Sequence, residues 1–374
     1  MGPSALCVTP VRSRKDRIAF RRLPFDLYRD DPHWVPPLNR DIAGFLNLRQ
    51  HPFYDDGEAG FFVARRGPRT VGRIAAIRNG AHNRYHDDRT GFFGFYEATD
   101  DQEVAGALLD AATEWLRGHD LSSIRGPFSP STNYVSGLLV GGEPGPPAFM
   151  MPHNPLHYGD QLEAWGLTKA MDLLAFDLNQ EAITAKRWTR VSRRVSNRVG
   201  CTMRPLDLSR FKEEVRTMID VYHDAWADNW GFVPMSPGEV SHMAAEMRPV
   251  IHPNYCAFIM KDGQEIGFYL GLPDYNQVLI HLQGRLFPFG IVRLLRARKR
   301  LDRLRLLLMG VRREFQSLGL DALLYEHAFT TGLEKGVFSC EASWILETNS
   351  SMVNAMERGG ARQIRRYRIY EKPL

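Results

Sequence analysis

The sequence predicts an α+β protein built as two tandem copies of one unit, each a mixed sheet flanked by helices. Three observations carry that expectation. The chain has 374 residues, enough for two cores rather than one. Strand-like and helix-like patterns follow one another in the same order in both halves. Landmarks also recur in register: Val71-Gly72 and Ile266-Gly267 stand 195 residues apart, Asn154 and Asn349 stand 195 apart, and helices expected to end at Gly166 and Gly359 match at 193. A fixed spacing of this kind marks a duplicated unit. It sets the boundary at 180–200, giving domains over 1–185 and 186–374, with the arginine-rich stretch from Lys186 to Arg198 as a linking helix.

In the first half a short strand is expected at 5–11, then a helix rich in Arg and Phe, then a loop punctuated by Pro32, Pro36, Pro37 and Pro52. A hairpin follows, with strands at 60–64 and 71–77 around Arg66-Gly67-Pro68-Arg69, and a third strand at 92–97. Val104, Leu108, Ala111 and Trp115 recur at helical spacing and predict a helix over 101–117. A strand at 122–127 leads into Gly- and Pro-rich loop sequence, a short helix after Asn154-Pro155, and a strand at 171–177. The second half repeats this order. Strand 201–206 precedes a helix over 211–226, with Val215, Met218, Ile219 and Tyr222 on one face, and a helix over 239–247. A hairpin over 255–260 and 264–272 turns at Asp262-Gly263. A buried strand at 306–309, a helix opening near Gly319, a strand at 338–347, a helix at 350–357 and a strand at 365–371 complete the copy.

A hydrophobic fraction of 44% and a charged fraction of 24% are those of an ordinary soluble globular protein. No run of about 18 apolar residues predicts a membrane span. The start Met1-Gly2-Pro3-Ser4-Ala5-Leu6 lacks the basic and apolar regions of a signal peptide, so a cytoplasmic protein is expected. Cys7, Cys201, Cys256 and Cys340 have neither paired nor metal-ligand spacing, which predicts reduced thiols and no metal. His223, Asp224 and Asp228 also lack the spacing of a ligand pair.

The net charge of +5 is unevenly placed, with seven basic residues at Arg293, Arg296, Arg298, Lys299, Arg300, Arg303 and Arg305. A solvated helix face is one reading of that cluster and an anionic partner the other. Without a helix-turn-helix or similar module, nucleic acid is not the expected partner. Together with Phe289, Ile291, Val292, Leu294, Leu295 and Leu301, the cluster predicts a segment over 287–304 suited to lie on an anionic membrane surface. That would make the protein peripheral to the inner membrane.

The most informative stretch runs from Leu306 to Glu326. It reads as a buried strand, a kink at Gly310, a cationic loop with Arg312 and Arg313, and a helix opening near Gly319. A helix opening presents unpaired N–H groups and a positive dipole end, and can receive an anion. A plain strand–turn–helix connection is the bland alternative. The order Gln316-x-x-Gly319-x-Asp321 after a strand resembles the Gln/Arg-x-x-Gly-x-Gly/Ala loop with which GNAT acyltransferases grip coenzyme A. Asp321 departs from that pattern by putting a carboxylate where a small residue is usual.

Longer phrases extend the resemblance over nearly the whole chain. Asp228-Asn229-Trp230-Gly231-Phe232-Val233-Pro234, Leu272-Pro273-Asp274-Tyr275-Asn276, Gly284-Arg285-Leu286-Phe287-Pro288 and Trp344-Ile345-Leu346-Glu347-Thr348-Asn349 are similar to a bacterial family of tandem GNAT-like proteins. So are Val71-Gly72-Arg73-Ile74-Ala75-Ala76-Ile77 and Gly91-Phe92-Phe93-Gly94-Phe95 in the first half. Bacterial ceramide synthases look like near relatives.

The resemblance implies direct attack of an amine on a CoA thioester within a ternary complex. N–H groups near Val311 would receive the acyl carbonyl where the strand splays at Gly310. Those of the loop from Gln316 through Leu318, Gly319 and Leu320 to Asp321 would hold the pyrophosphate, with Arg312 or Arg313 adding charge. Glu347, on the same strand face as Glu341 and Ser343, is the first choice of base; a surface or structural carboxylate is the competing reading. Asn349 either binds the CoA arm or simply caps the next helix. Met356 stands about where many relatives carry an acidic Tyr.

Asp274 and Asn276 either meet the acceptor amine or serve turn chemistry. Trp230, with Trp226 and Phe232, either lines an apolar pocket or belongs to the core. In the first copy, Thr99-Asp100-Asp101-Gln102-Glu103 would cap the matching helix and repel a pyrophosphate, so that copy is expected to be a scaffold lacking the CoA loop. The expected activity is N-acyl transfer from acetyl-CoA or a longer acyl-CoA to a small-molecule or lipid-like, sphingoid amine. The alternative is a catalytically inactive ligand- or partner-binding GNAT-like protein. Oligomeric state is left open.

Overall fold

The computed structural model describes residues 5–47, 50–179, 185–285, 290–297 and 300–374. In chain order the first elements are β1 (Leu6–Pro10), α1 (Arg14–Leu27), α2 (Asn39–Phe45), β2 (Gly57–Arg66), β3 (Arg69–Asn79), α3 (Gly80–His86), β4 (Thr90–Ala98), α4 (Gln102–Arg117), β5 (Ser123–Gly126), β6 (Phe128–Ser129), β7 (Val135–Ser136), β8 (Leu138–Gly142), α5 (His157–Ala164) and β9 (Thr168–Asn179). Then come α6 (Ala185–Val199), β10 (Thr202–Pro205), α7 (Phe211–Trp226), α8 (Pro237–Met247), β11 (Cys256–Lys261), β12 (Gln264–Pro273), α9 (Asn276–Leu279), α10 (Gly290–Ala297), β13 (Arg303–Val311), α11 (Asp321–Glu334), β14 (Ser339–Leu346), α12 (Ser350–Arg358) and β15 (Arg362–Pro373).

These elements form two compact units: Met1–Leu173 with Val278–Val292 and Arg365–Leu374, and Leu174–Gln277 with Arg293–Ile364. In the first unit β2–β3 and β3–β4 pair antiparallel, and β4–β5 pair parallel across the helix α4. The second unit repeats that succession, with β11–β12 and β12–β13 antiparallel and β13–β14 parallel across α11. A crossover helix between parallel neighbours is what this connection requires. The expected duplication of an α+β unit is therefore present in the backbone. The end of the chain serves the first unit, where β15 pairs antiparallel with β5 at Tyr370↔Gly126 and with β8 at Arg368↔Leu138. Arg366 and Arg368 on this strand both donate to the buried Asp172 carboxylate of β9, each at 2.8 Å.

The first core is built around α4. Asp101 caps this helix, and Val104, Ala105, Leu108, Leu109, Ala112 and Leu116 are buried against the sheet. The expected stripe included Ala111 and Trp115, which are only half-buried. The buried face turns instead toward Leu109 and Ala112, and Trp115 stacks on His119 at the margin. Each fully buried Leu contributes about 1.5–3 kcal/mol. Gly72 lets α4 lie this close, since a Cβ there would be 2.6 Å from Leu108 Cδ1. The second core gathers Ile259, Ile266, Leu306, Leu323, Leu324 and Ala342 under α11 in the same manner.

No helix among the described residues is long and apolar enough to cross a membrane. Of the expected membrane-surface segment, 287–289, 298 and 299 lie outside the described residues. Within α10, Val292, Arg293 and Arg296 are exposed.

One buried histidine gives the first unit a defined response to acid. His82 is 2% exposed at the opening of α3, edge-on to Phe92 with ring centroids 4.8 Å apart. Burial pushes its imidazole down to about 4, against the opposing pull of Asp88. The folded chain thus resists a proton that the unfolded chain accepts near 6.5. Stability from this group is present above pH 6.5 and is lost as the pH falls toward 4, about 2 kcal/mol by pH 5. Denaturant titrations at pH 7 and pH 5 should show a smaller drop for His82→Gln than for the native chain; equal drops would remove His82 as the cause.

Candidate active site

In the second unit β13 and β14 pair from Arg303↔Ser339 to Leu306↔Ala342 and then part, while β13 keeps its ladder with β12 as far as Val311. The β12–β13 register slips between Leu270 and Gly271, leaving Leu307 as an extra residue on β13. Such a bulge bends its strand and re-aims it. The parting therefore begins at Leu307, ahead of the kink expected at Gly310. Gly310 has a different job. A Cβ there would be 3.0 Å from Ala225 Cβ on α7, whose Trp226 Nε1 donates to the Met309 carbonyl at 3.0 Å.

Beyond Val311 the chain makes one 3-10 turn at Arg313–Phe315, and α11 opens at Asp321. Gln316 closes the loop by donating from Nε2 to the carbonyls of Val311 at 3.0 Å and Ala225 at 3.2 Å. Ser317 and Gly319 take left-handed φ values of 66° and 77°. Among the described residues no acceptor lies on the N–H groups of Ser317, Leu318, Gly319 or Leu320. Successive N–H groups in such a turn form an anion-binding concavity, reinforced here by the positive end of α11.

The neighbouring charges are less simple than the sequence suggests. Arg312 donates from Nε to the Glu265 carbonyl at 2.9 Å. Arg313 faces Asp224 at 3.6 Å and Asp228 at 3.2 Å, so its charge is balanced by acids on and just after α7. Asp321 is half-buried, and desolvation raises its carboxyl above its ordinary value.

On the face of β13 and β14 away from α11 lies a polar cluster. Arg305 and Glu341 are 0% exposed. Glu341 accepts from Arg303 Nη2 at 2.9 Å and from the Ser343 hydroxyl at 3.1 Å. Arg305 donates from Nε to Ser343 Oγ at 3.2 Å and lies 5.0 Å over the Trp344 ring. These two arginines leave the expected basic surface cluster: β13 carries them inward. Asp274 and Asn276 are buried nearby, the Asn276 N–H donating to Asp274 Oδ1 at 3.1 Å in an Asx turn, with Arg303 4.0 Å from the other carboxylate oxygen.

Glu347 stands half-buried one residue past β14, in the turn before α12. Asn349 caps α12 by accepting from the Met352 N–H at 3.1 Å. Met356 on that helix is wholly buried. Trp230 is half-buried in the turn after α7. Ser343 carried no functional expectation from the sequence, and Arg305 was expected only as part of the basic surface cluster; the available signal was charge at alternate positions of an otherwise apolar strand. On the opposite face of the sheet, beneath α11, Leu304 and Leu306 turn into an apolar pocket with Tyr269, Phe329, Val337 and Cys340.

The first unit fills the corresponding place with its own chain. Its β4–β5 ladder ends at Phe92↔Arg125, and beyond it the Phe95 N–H donates to Ser129 Oγ at 2.9 Å. A Cβ on Gly94 would fall on the Phe128 carbonyl oxygen. The Ala98 N–H donates to the Tyr158 hydroxyl at 3.2 Å, and Tyr158 and Tyr28 donate to the half-buried Glu97 carboxylate at 2.9 and 2.6 Å. Asp101 accepts from the Glu103 N–H at the opening of α4, and Arg66 pairs with both acids.

No family model matches the chain. Over 99% of its length it is 35% identical to the bacterial ceramide synthase of Caulobacter vibrioides, covering 98% of that protein. Over 97% it is 35% identical to protein YghO of Escherichia coli, covering 94% of that protein. A solved tandem GNAT protein from the clavulanic acid biosynthesis pathway superposes with a TM-score of 0.59 at 14% identity, covering 99% of this chain and 98% of that one. A GCN5-related N-acetyltransferase from Sphaerobacter thermophilus gives 0.55 at 13% identity, covering 98% and 95%. The chain belongs to the bacterial family of tandem GNAT-like proteins, with the N-acyltransferase fold, that includes the Caulobacter ceramide synthase and YghO.

Proposed function

We propose that the second unit transfers an acyl group from a CoA thioester to a lipid-like amine. The observation that carries this reading is the row of four N–H groups from Ser317 to Leu320 without an acceptor among the described residues, beside the point where β13 and β14 part. In this reading the loop holds the diphosphate of CoA, and the gap-facing N–H groups near Val311 receive the thioester carbonyl. The amine nitrogen attacks the carbonyl carbon, the C–S bond breaks, and CoA leaves as a thiolate. Glu347 takes the proton from the adduct nitrogen, and the thiolate is protonated from solvent. A thiol pKa near 8–9 makes that departure feasible without the acidic Tyr that Met356 replaces. The first unit serves as scaffold, its equivalent site occupied by Ser129 and Tyr158.

The acyl chain enters the pocket beneath α11. Leu306 is both the last rung before the parting and a wall of that pocket, so a carbonyl held at the parting has apolar space beside it. A long acyl donor and an amine acceptor agree with the name of the Caulobacter relative. The polar cluster around Arg305, Asp274 and Glu341 lies on the other face, from which the amine approaches. Asp274, Asn276 and Glu341 are positioning groups there, because each is buried and engaged by its neighbours.

Thermal shift measurements with CoA and acyl-CoAs of increasing length should show stabilisation that grows with chain length. Gly332→Leu, which fills the pocket, should erase the length dependence while leaving the shift with CoA. No shift with any of these ligands would end the reading. Glu347→Gln should lower kcat by about 10²–10⁴-fold and leave the acyl-CoA thermal shift unchanged; an unaltered kcat would remove Glu347 as the base. Exposed Val292, Arg293 and Arg296 on α10 make anionic liposomes the expected docking surface. Flotation should recover the protein with anionic and not neutral vesicles; equal recovery, or none, would dismiss that contact.

A further inference from the structure

The helix α6 carries a run of positive charge that the site described above does not use. Its sequence, AKRWTRVSRRVSNRV, contains no acidic residue. Arg190, Arg193, Arg194 and Arg198 are all exposed, whereas Ser192 and Val195 are buried. Arg190, Arg194 and Arg198 follow one another at a spacing of four and therefore line one stripe of the helix. Like charges at that spacing destabilise a helix. Solvated faces normally intersperse both signs. Among the described residues Arg190, Arg193 and Arg194 form no ion pair. The dipole at the helix end rewards only Arg198.

The stripe leads to the anion loop. Arg198 Nη2 donates to the Leu318 carbonyl at 2.6 Å, and a Cβ on Gly319 would be 3.7 Å from Val195 Cγ2. Toward the other end of α6, Thr189 Oγ1 lies 3.4 Å from Glu326 Oε1 of α11. The two helices therefore run antiparallel, and α6 forms one wall of the loop that opens α11. Four residues of helix rise by about 6 Å, so Arg194 stands roughly one turn from Arg198 and Arg190 a further turn away. A dianion joined to a loop-bound diphosphate by a short linker would fall within reach of this stripe.

We infer that Arg190 and Arg194 of α6 form a subsite for a phosphate monoester on the donor, the 3′-phosphate on the ribose of CoA. This rests on the reading that the donor is a CoA thioester held at 317–320. The monoester carries about −1.5 to −2 charges at pH 7, and guanidinium groups are suited to its oxygens. The loop recognises the diphosphate and α6 the nucleotide end, so this row discriminates among carriers that share the same pantetheine arm.

Calorimetric titration of the full chain with CoA and with 3′-dephospho-CoA isolates this one group. The native protein should bind dephospho-CoA about 10- to 100-fold more weakly than CoA at low salt. The double variant Arg190→Gln with Arg194→Gln should bind both equally, at the affinity the native protein shows for dephospho-CoA. Arg198 is left in place because it holds the loop. Equal binding of the two ligands by the native chain would overturn the subsite while leaving the donor reading intact. Equal weakening of both ligands in the double variant would also overturn it, since the arginines would then act through the loop. If neither nucleotide binds and a thioester on an acidic carrier protein is consumed, both the subsite and the CoA reading fall, and the row becomes a protein-docking face.

Discussion

Backbone groups that lose their strand partner must find another, and the parting of parallel neighbours raises this demand in both units. The first unit meets it from within. Ser129 takes one N–H of β4 and Tyr158 another. That solution brings its own requirements, because the Tyr158 hydroxyl needs an acceptor and finds Glu97. Glu97 is then a half-buried carboxylate, met by Tyr28 and by Arg73 at 3.3 Å. Arg73 in turn donates to the Phe20 carbonyl at 2.8 Å, tying α1 to the sheet. One filled gap thus accounts for a chain of buried polar contacts that would otherwise be hard to justify in a core.

The second unit answers differently. Trp226 and Gln316 engage the Met309 and Val311 carbonyls, and among the described residues no side chain accepts from the N–H groups of β13 between Leu307 and Val311. Acceptors are supplied with donors and donors are left over. A site with this balance favours a ligand rich in oxygen, which is the chemistry of a carbonyl and a diphosphate. The same difference separates the helix openings. Asp101 caps α4 and is itself paired by Arg66, whereas no side chain caps the opening of α11.

Much of the fold was legible because glycine and asparagine recur for backbone reasons. Gly72 and Gly267 share a register, and at both a Cβ would meet packed atoms, Leu108 at 2.6 Å in one and Ile259 at 3.1 Å in the other. Asn154 and Asn349 also share a register, yet their work differs. Asn154 ties the backbone of Leu139 through both amide atoms, and Asn349 caps a helix. The bulge at Leu307 was not legible. In the run Leu306-Leu307-Leu308 a slip of one residue leaves the same side chain on each face, so the pattern is silent about register. Arg303 and Arg305 misled for a related reason. Adjacent to exposed basic residues, they extend a surface cluster in one dimension, and only strand alternation turns them inward to Glu341 and Ser343.

Asp321 shows how a departure from a motif can be compatible with its use. A carboxylate in the first turn of α11 ought to repel a diphosphate, and at full charge in solvent it would. Here its desolvation disfavours the ionised form. The Ala322 N–H goes to the Gly319 carbonyl at 3.2 Å, and among the described residues those of Ser317 to Leu320 have no acceptor. On α6, Arg198 meets the Leu318 carbonyl and Val195 lies against Gly319, with Arg194 and Arg190 one and two turns back along the helix. The loop is accordingly flanked by a desolvated acid at the opening of α11 and by exposed guanidinium groups on α6. Because Asp224 and Asp228 balance Arg313, the attraction for an entering anion comes from the loop N–H groups, the positive end of α11 and the α6 arginines.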